Sequence, residues 1–174
     1  MTKQLADLGI TSELIIERGL REYAEADVLV VAEIGTNGRE HLLEPAAARA
    51  WRALKAAAVS EGGDIWIVSA FRSVERQADI IRRKLEAGLA IEDILTVSAP
   101  PGFSEHHTGR AVDLATVGCP SLEVAFDQTD AYAWLSEHAA KYGYALSYPI
   151  GNVWGYQYEP WHWCFGGDAT IMQA

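Results

Sequence analysis

What this sequence has little of narrows it quickly. It holds only two cysteines, Cys119 and Cys164, in 174 residues. That excludes a disulfide framework, leaves one bridge open, and reads most simply as two packed core thiols. Lys and Arg number 14 against 24 acidic residues, a net charge of -10 with no basic stripe. Nucleic acid and anionic membrane surfaces are therefore poor partners. No apolar run approaches the ~20 residues that a membrane span needs. The opening "MTKQLADLGITSELIIERGL" has no basic start followed by an apolar stretch, so it does not read as a secretory signal. The default expectation is a cytoplasmic protein, or an exported or periplasmic one if a leader has been removed or another route is used. No repeat, low-complexity tract or linker interrupts the chain. One domain, residues 1–174, is the economical expectation at this length.

Apolar residues make up 49% and charged residues 22%, a globular composition. The run "VLVVA" from Val28 to Ala32 suits a strand closed by "GTNGRE". Pro45 opens a helix on which Trp51, Leu54 and Ala58 recur at helical spacing up to Gly62-Gly63. "DIWIVSAF" reads as a buried strand, and Ser73 caps a helix whose Ala78, Ile81 and Leu85 share a face. "IEDILTV" suits a short helix, "SAPPGF" a loop and "RAVDLA" a short strand. Thr129 is placed to cap a helix carrying Ala131, Leu135, Ala139 and Tyr142, with Gly143 as its left-handed stop. "YALSY" and "WHWCF" are the final strands. Strands and helices do not alternate as in a doubly wound fold. The expected class is α+β, with helices packed on a mainly antiparallel sheet.

The window "FSEHHTGRAVDL" concentrates two histidines, a glycine and an aspartate. Nitrogen and oxygen ligands of this kind suit zinc, and catalytic zinc commonly takes three protein ligands plus water. His106 and Asp113 would face opposite ways on one continuous strand. A loop that turns at Gly109 and then enters a strand removes the objection, since glycine permits positive φ. Spacing alone does not choose between His106 and His107. The third ligand candidate is His162 in "YEPWHWCF", and Glu159, three residues earlier, is the candidate for deprotonating a water. Their odd spacing also opposes them on a regular strand, and Pro160 between them supplies the irregularity that brings them round. A lone His-Asp pair or a lone Glu-x-x-His is commonplace. Both together, each beside a residue that re-aims the backbone, point to a metal site.

Ser104, His106, Gly109, Ala111 and Asp113 fill every defined position of Ser-x-His-x-x-Gly-x-Ala-x-Asp. That pattern resembles the zinc D,D-peptidases of the VanY/VanX type, a family related to L,D-carboxypeptidases and to the hedgehog signalling domain. Glu159-Pro160-Trp161-His162 is similar to the family's Glu-Pro-Trp-His segment, and "SAFRS" with Gln77 to its Ser-x-aromatic-Arg-Ser segment and following helix. The resemblance runs from about Leu42 to Phe165. It implies one zinc per chain, carried on the sheet and held by His106, Asp113 and His162, with Glu159 as general base and general acid. It implies that Arg72 stabilises the oxyanion, a role suited to a permanent cation, against the plainer alternative of a surface ion pair. Gln77 and Ser104 resemble substrate contacts, and would otherwise be a helix-surface amide and a turn former. His107 is left as a polar loop residue.

Around the third ligand, Trp161 and Trp163 alternate away from His162 into packing, and Tyr156 or Tyr158 is placed to line a cleft. Cys164 shares the His162 face, although three ligands plus water already complete a catalytic site. The resemblance implies removal of a terminal D-alanine from a peptidoglycan stem peptide or a D-Ala-terminated small peptide. It leaves D,D-carboxypeptidase, L,D-carboxypeptidase and D-Ala-D-Ala dipeptidase open. An endolysin-like endopeptidase is the second expectation, opposed by Glu159 where such relatives carry aspartate. A zinc-bearing binding domain without turnover is the third, opposed by the presence of both Glu159 and Arg72.

Overall fold

The computed structural model describes residues 3–166. Its elements run α1 (Lys3–Asp7), α2 (Ser12–Glu17), β1 (Val30–Ile34), β2 (Glu40–Leu43), α3 (Pro45–Ser60), β3 (Ile65–Ser69), α4 (Val74–Glu86), α5 (Ile91–Ile94), β4 (Ala111–Thr116), α6 (Asp130–His138), β5 (Tyr144–Leu146) and β6 (His162–Phe165). Single 3-10 turns cover Glu105–Thr108, Val124–Gln128 and Ala139–Tyr142. β1 and β2 form an antiparallel ribbon, and β3-β4-β6-β5 form a second sheet in which every neighbouring pair is antiparallel. The architecture is the α+β class expected, with antiparallel sheets and helices packed against them.

Local chemistry accounts for the boundaries. Pro45 stands in the first turn of α3, and the Glu44 side chain accepts from the Ala46 amide. Ser73 Oγ accepts from the Arg76 amide at the head of α4, and Thr129 Oγ1 from the Tyr132 amide at the head of α6. The first strand lies two residues later than the apolar run alone suggests, because pairing with β2 rather than local hydropathy sets its ends. The helix after Thr129 ends at His138. Its last turn tightens to 3-10 geometry and stops at Gly143, whose φ is +77°. Cys119 and Cys164 are both free thiols.

The described residues form two apolar cores. The larger joins α3, through Trp51, Leu54 and Ala58, to the sheet residues Ile67, Val112, Leu114 and Trp163. The smaller joins Leu5, Leu8 and Ile10 near the N-terminus to Ala78 and Ile81 of α4 and to Ile94 and Leu95. Every residue of β4 is buried, so that strand is covered on both faces. Its even residues Val112 and Leu114 enter the larger core, which turns Ala111, Asp113 and Ala115 the other way.

Trp51 is the largest fully buried side chain, and its indole N–H donates to Glu33 at 2.9 Å. Trp51→Ala is expected to remove about 3–5 kcal/mol of stability through the cavity and the lost bond. Urea denaturation measures this, and a loss under 1 kcal/mol would show that α3 does not hold the sheet.

Candidate metal centre and cleft

Sheet register builds most of the site. Asp113 of β4 is paired across the ladder with His162 of β6, so the two side chains stand on one face. His106 arrives from outside the sheet on the 3-10 turn before β4. Ser104 caps that turn by accepting from the His106 amide, and Gly109 ends it at φ +64°. A Cβ at Gly109 would lie 2.9 Å from the Glu44 amide nitrogen and 2.9 Å from Leu29 Cδ2. Only glycine therefore fits both the angle and the space.

The structure brings His106, Asp113 and His162 together, with His106 rather than His107 in the group. Their ligand atoms lie within 4.8 Å of one another and all three residues are buried. His106 Nε2 stands 3.2 Å from Asp113 Oδ2, and His162 Nδ1 3.0 Å from Asp113 Oδ1. Each imidazole is oriented by its other nitrogen. His106 Nδ1–H donates to the Ala70 carbonyl at 2.7 Å, and His162 Nε2–H donates to Glu105 Oε2 at 2.9 Å. That leaves His106 Nε2 and His162 Nδ1 aimed at the common point, the outer support that metal-binding histidines typically have. Two imidazoles, one carboxylate and an open cavity beyond them match a three-ligand catalytic zinc set with a free position.

His107 is corrected from a polar loop residue to a buried strut. Its Nδ1–H donates to the Arg72 carbonyl at 2.6 Å, and its Nε2 accepts from the Gly102 amide at 3.1 Å. Both ring nitrogens are thus occupied away from the centre. The Arg72 amide in turn donates to the His106 carbonyl at 3.1 Å, which fastens the strand-to-helix corner onto the histidine turn.

Glu159 reaches the site through a tight turn. The His162 amide donates to the Glu159 carbonyl at 3.0 Å across Pro160, so an i-to-i+3 turn replaces the strand geometry that would have opposed them. Glu159 Oε2 lies 3.9 Å from His162 Nδ1. Burial raises its pKa to about 7; Asp113 and Glu105 add to the rise, while His162 and Arg72 oppose it. His106 is held below the ordinary imidazole value, chiefly by burial. Asp113 is buried, yet its two histidine neighbours hold its carboxyl far below the usual range. Burial disfavours charge on His162 too, but hydrogen bonds to Asp113 and Glu105 outweigh it and carry its pKa up to about 10.

A cavity of about 470 Å³ opens beside these groups, lined among others by Arg72, Gln77, Ser104, Tyr148, Tyr156 and Glu159. Arg72 makes no ion pair among the described residues, which corrects the surface-pair alternative. Its Nε is buried without a hydrogen-bond partner among those residues, as are Gln77 Oε1 and the Tyr156 hydroxyl. Gln77 is 1% exposed and its Nε2 donates to the Ala99 carbonyl at 2.6 Å, so it is not a helix-surface amide. Ser104 both caps its turn and lines the cavity. Tyr156 and Tyr158 line it as expected, and Trp161 does so while packing against the larger core. Trp163 is wholly core. Cys164 shares the His162 face, but its thiol lies outside the trio and burial pushes its pKa well up.

Two residues had no signal in the sequence motifs. Glu105 fills an undefined position of the histidine motif, and only the fold reveals that it supports His162. Tyr148 lies 14 residues before His162 in a segment without a motif, yet its ring packs 4.6 Å from the His162 ring.

A family model described as VanY, D-alanyl-D-alanine carboxypeptidase, matches residues 40–168. YodJ of Bacillus subtilis (strain 168) is 35% identical over 133 residues, covering 73% of this chain and 48% of that one. The chain therefore spans about half the length of this curated relative. The solved structure of the LdcB LD-carboxypeptidase superposes with a TM-score of 0.75 at 30% identity, covering 85% of this chain and 72% of that one. Two VanY structures are also similar. One, VanYB in complex with D-alanine-D-alanine, has a TM-score of 0.66 at 26% identity, covering 87% and 82% of the two chains. The other, a mutant vancomycin-resistance D,D-pentapeptidase in complex with Zn(II), has a TM-score of 0.63 at 27% identity, covering 84% and 81%.

In metal-free protein a proton on His162 occupies the place of a cation. Because its folded pKa of about 10 exceeds the ordinary 6.5, the stability it contributes is complete below pH 6.5 and is lost as pH rises through 10. The melting temperature of metal-free protein is thus expected to fall between these pH values, and zinc-loaded protein to hold its melting temperature better there. Calorimetry with and without zinc checks this, and parallel curves would contradict it.

Proposed function

Because the chain belongs to the VanY family of D-alanyl-D-alanine carboxypeptidases, we propose that it removes the terminal D-alanine of peptidoglycan-type peptides, with zinc held by His106, Asp113 and His162. The observation that carries this reading is the cavity itself. Its lining combines the His-Asp-His trio with Glu159 and with Arg72, Gln77 and Tyr156, each of which carries a buried polar atom without a partner among the described residues. Buried polar atoms are costly to leave unsatisfied, so several around one cavity favour a polar ligand.

Zinc bound there supplies a Lewis acid and lowers the pKa of water. The chain's own residues do the rest. Glu159 has a pKa near neutrality, which suits a group that must take the proton of the attacking water and then pass it to the leaving amine. The Arg72 guanidinium has an unused Nε–H and donates to the carbonyl oxygen as negative charge grows on it. Its charge also offsets Asp113, which leaves the trio less positive than three histidines would be. Gln77 Oε1 accepts an amide N–H of the peptide, and Ser104 lines the approach. The Tyr148 ring, backed by Tyr156 at 4.9 Å, limits the sideways movement of His162.

The high TM-score to an LD-carboxypeptidase favours L,D cleavage as a second reading. Glu159 argues against an endolysin-like endopeptidase, and a binding domain would have no use for an unpaired Arg72.

D-alanine release is measured from D-Ala-D-Ala, a muramyl pentapeptide and a muramyl tetrapeptide, with metal-free and zinc-restored protein. Release is expected only with zinc. Glu159→Ala is expected to lower it by about 10²–10⁴-fold while zinc stays bound. The acid limb of the pH profile is expected at or below pH 7, since a bound cation draws the Glu159 pKa down from about 7. Zinc-loaded protein that releases nothing from any substrate would overturn the reading.

A further inference from the structure

The cavity holds a second cation that the mechanism above does not use. α4 presents Gln77, Ile80 and Lys84 to it, three residues spaced along one helix face. Ala78 and Ile81 turn the other way into the smaller core. Lys84 Nζ donates to Ser98 Oγ at 2.8 Å, and Lys84 makes no ion pair among the described residues. Burial and the Arg72 cation both lower the pKa of its ammonium, with Glu159 opposing them. Arg72 feels Asp113 and Glu159, whereas Lys84 feels Arg72 and Glu159. Lys84 thus shares the cavity with Arg72 and Glu159 and is close enough to feel both.

The geometry points to Lys84 and Ser98 as the pair that reads the free terminal carboxylate of the substrate, and so as a determinant of exopeptidase over endopeptidase cleavage. This inference rests on the peptidase reading above. An ammonium has three donors and no acceptor. One donor goes to Ser98 Oγ, which leaves the serine O–H and the remaining ammonium donors for an anion with two acceptor oxygens. A carboxylate also relieves the repulsion between Lys84 and Arg72, which a neutral amide or a continuing peptide does not.

Position and shape agree with this. The carboxylate of a departing residue lies about one residue, ~3.8 Å between Cα atoms, beyond the bond that is cut. Its reader must therefore share the cavity with the group that stabilises the carbonyl oxygen, as Lys84 does with Arg72. Ile80, Val97 and Ala99 line the cavity beside the pair and give an apolar wall suited to a methyl side chain. The smaller core backs α4 from behind, so the helix face bearing Lys84 is held rigidly.

The test compares peptides ending in D-alanine with the same peptides ending in D-alanine amide, hydrolysed by zinc-loaded wild type, Lys84→Met and Lys84→Arg. Wild type is expected to prefer the free acid. Lys84→Met is expected to lose roughly 10–100-fold in kcat/KM on the acid, mainly through KM, and less than about twofold on the amide, as the loss of a charged hydrogen bond implies. Lys84→Arg is expected to keep most of the preference. Equal zinc content and melting temperature show that the variants are folded. A Lys84→Met variant with the wild-type acid-to-amide ratio would overturn the inference and leave the peptidase intact. If wild type hydrolyses neither peptide, the peptidase reading fails separately. Calorimetric binding of D-Ala-D-Ala and its amide to the same proteins then decides, and unchanged discrimination by Lys84→Met counts against Lys84.

Discussion

Asp113 is buried in a strand that is covered on both faces, and an ionised carboxylate in such a place needs compensation. Here two imidazoles provide it, one from the facing strand and one from the turn before its own. The antiparallel register of β4 against β6 fixes the first contact, and a slip of one residue would turn His162 into the larger core and Trp163 toward the cavity. The apolar alternation of Val112, Leu114 and Trp163 guards against that slip, because it is the same alternation that fills the core against α3. Core packing and site geometry are in this sense one constraint.

Around the trio, support comes from groups that never face the cavity directly. The Ala70 carbonyl and the Glu105 carboxylate set the orientation of the two imidazoles. His107 ties the corner after β3 to the loop before the histidine turn. The strap from Leu20 to Leu29 adds backbone bonds from Tyr23 to Gly102 and from Ala26 to His107, and the Val74 amide donates to Glu25. Arg18 bonds the carbonyls of Trp154 and Leu95 while its guanidinium lies 4.6 Å over the Tyr156 ring. The segment ahead of the family match thus fastens two loops that border the cleft.

That Asp113, His162 and Glu159 converge with a histidine of the 106–107 pair was legible from motif chemistry and chain punctuation, whereas the choice of His106 and the place of Arg72 came only through the family resemblance. Gly109 and Pro160 flagged the two places where simple alternation had to fail, and the structure shows a left-handed stop at one and a tight turn at the other. The α+β class and the capped helices were legible for similar local reasons. His107, Gln77 and Glu105 were not fully legible, since burial depends on what the rest of the chain lays over a residue. His107 looks like an exposed loop side chain until the strap covers it. Lys84 looks like one more charge on an amphipathic helix, and only the two-sided packing of α4 shows which of its faces meets the cavity.

That two-sided packing has a consequence for transplantation. The three motif blocks and the larger core that backs their strands all lie within residues 30–166, so a graft of that portion onto another scaffold would deliver every candidate metal-binding and proton-transferring group together with its packing. It would leave behind Leu5, Leu8 and Ile10, which buttress α4 from outside. Without that buttress the helix bearing Gln77 and Lys84 loses its backing, while the strand-borne ligands keep theirs. On the proposed reading, chemistry and selectivity would stand on different foundations, and substitutions of Leu5, Leu8 or Ile10 would retune the second without disturbing the first.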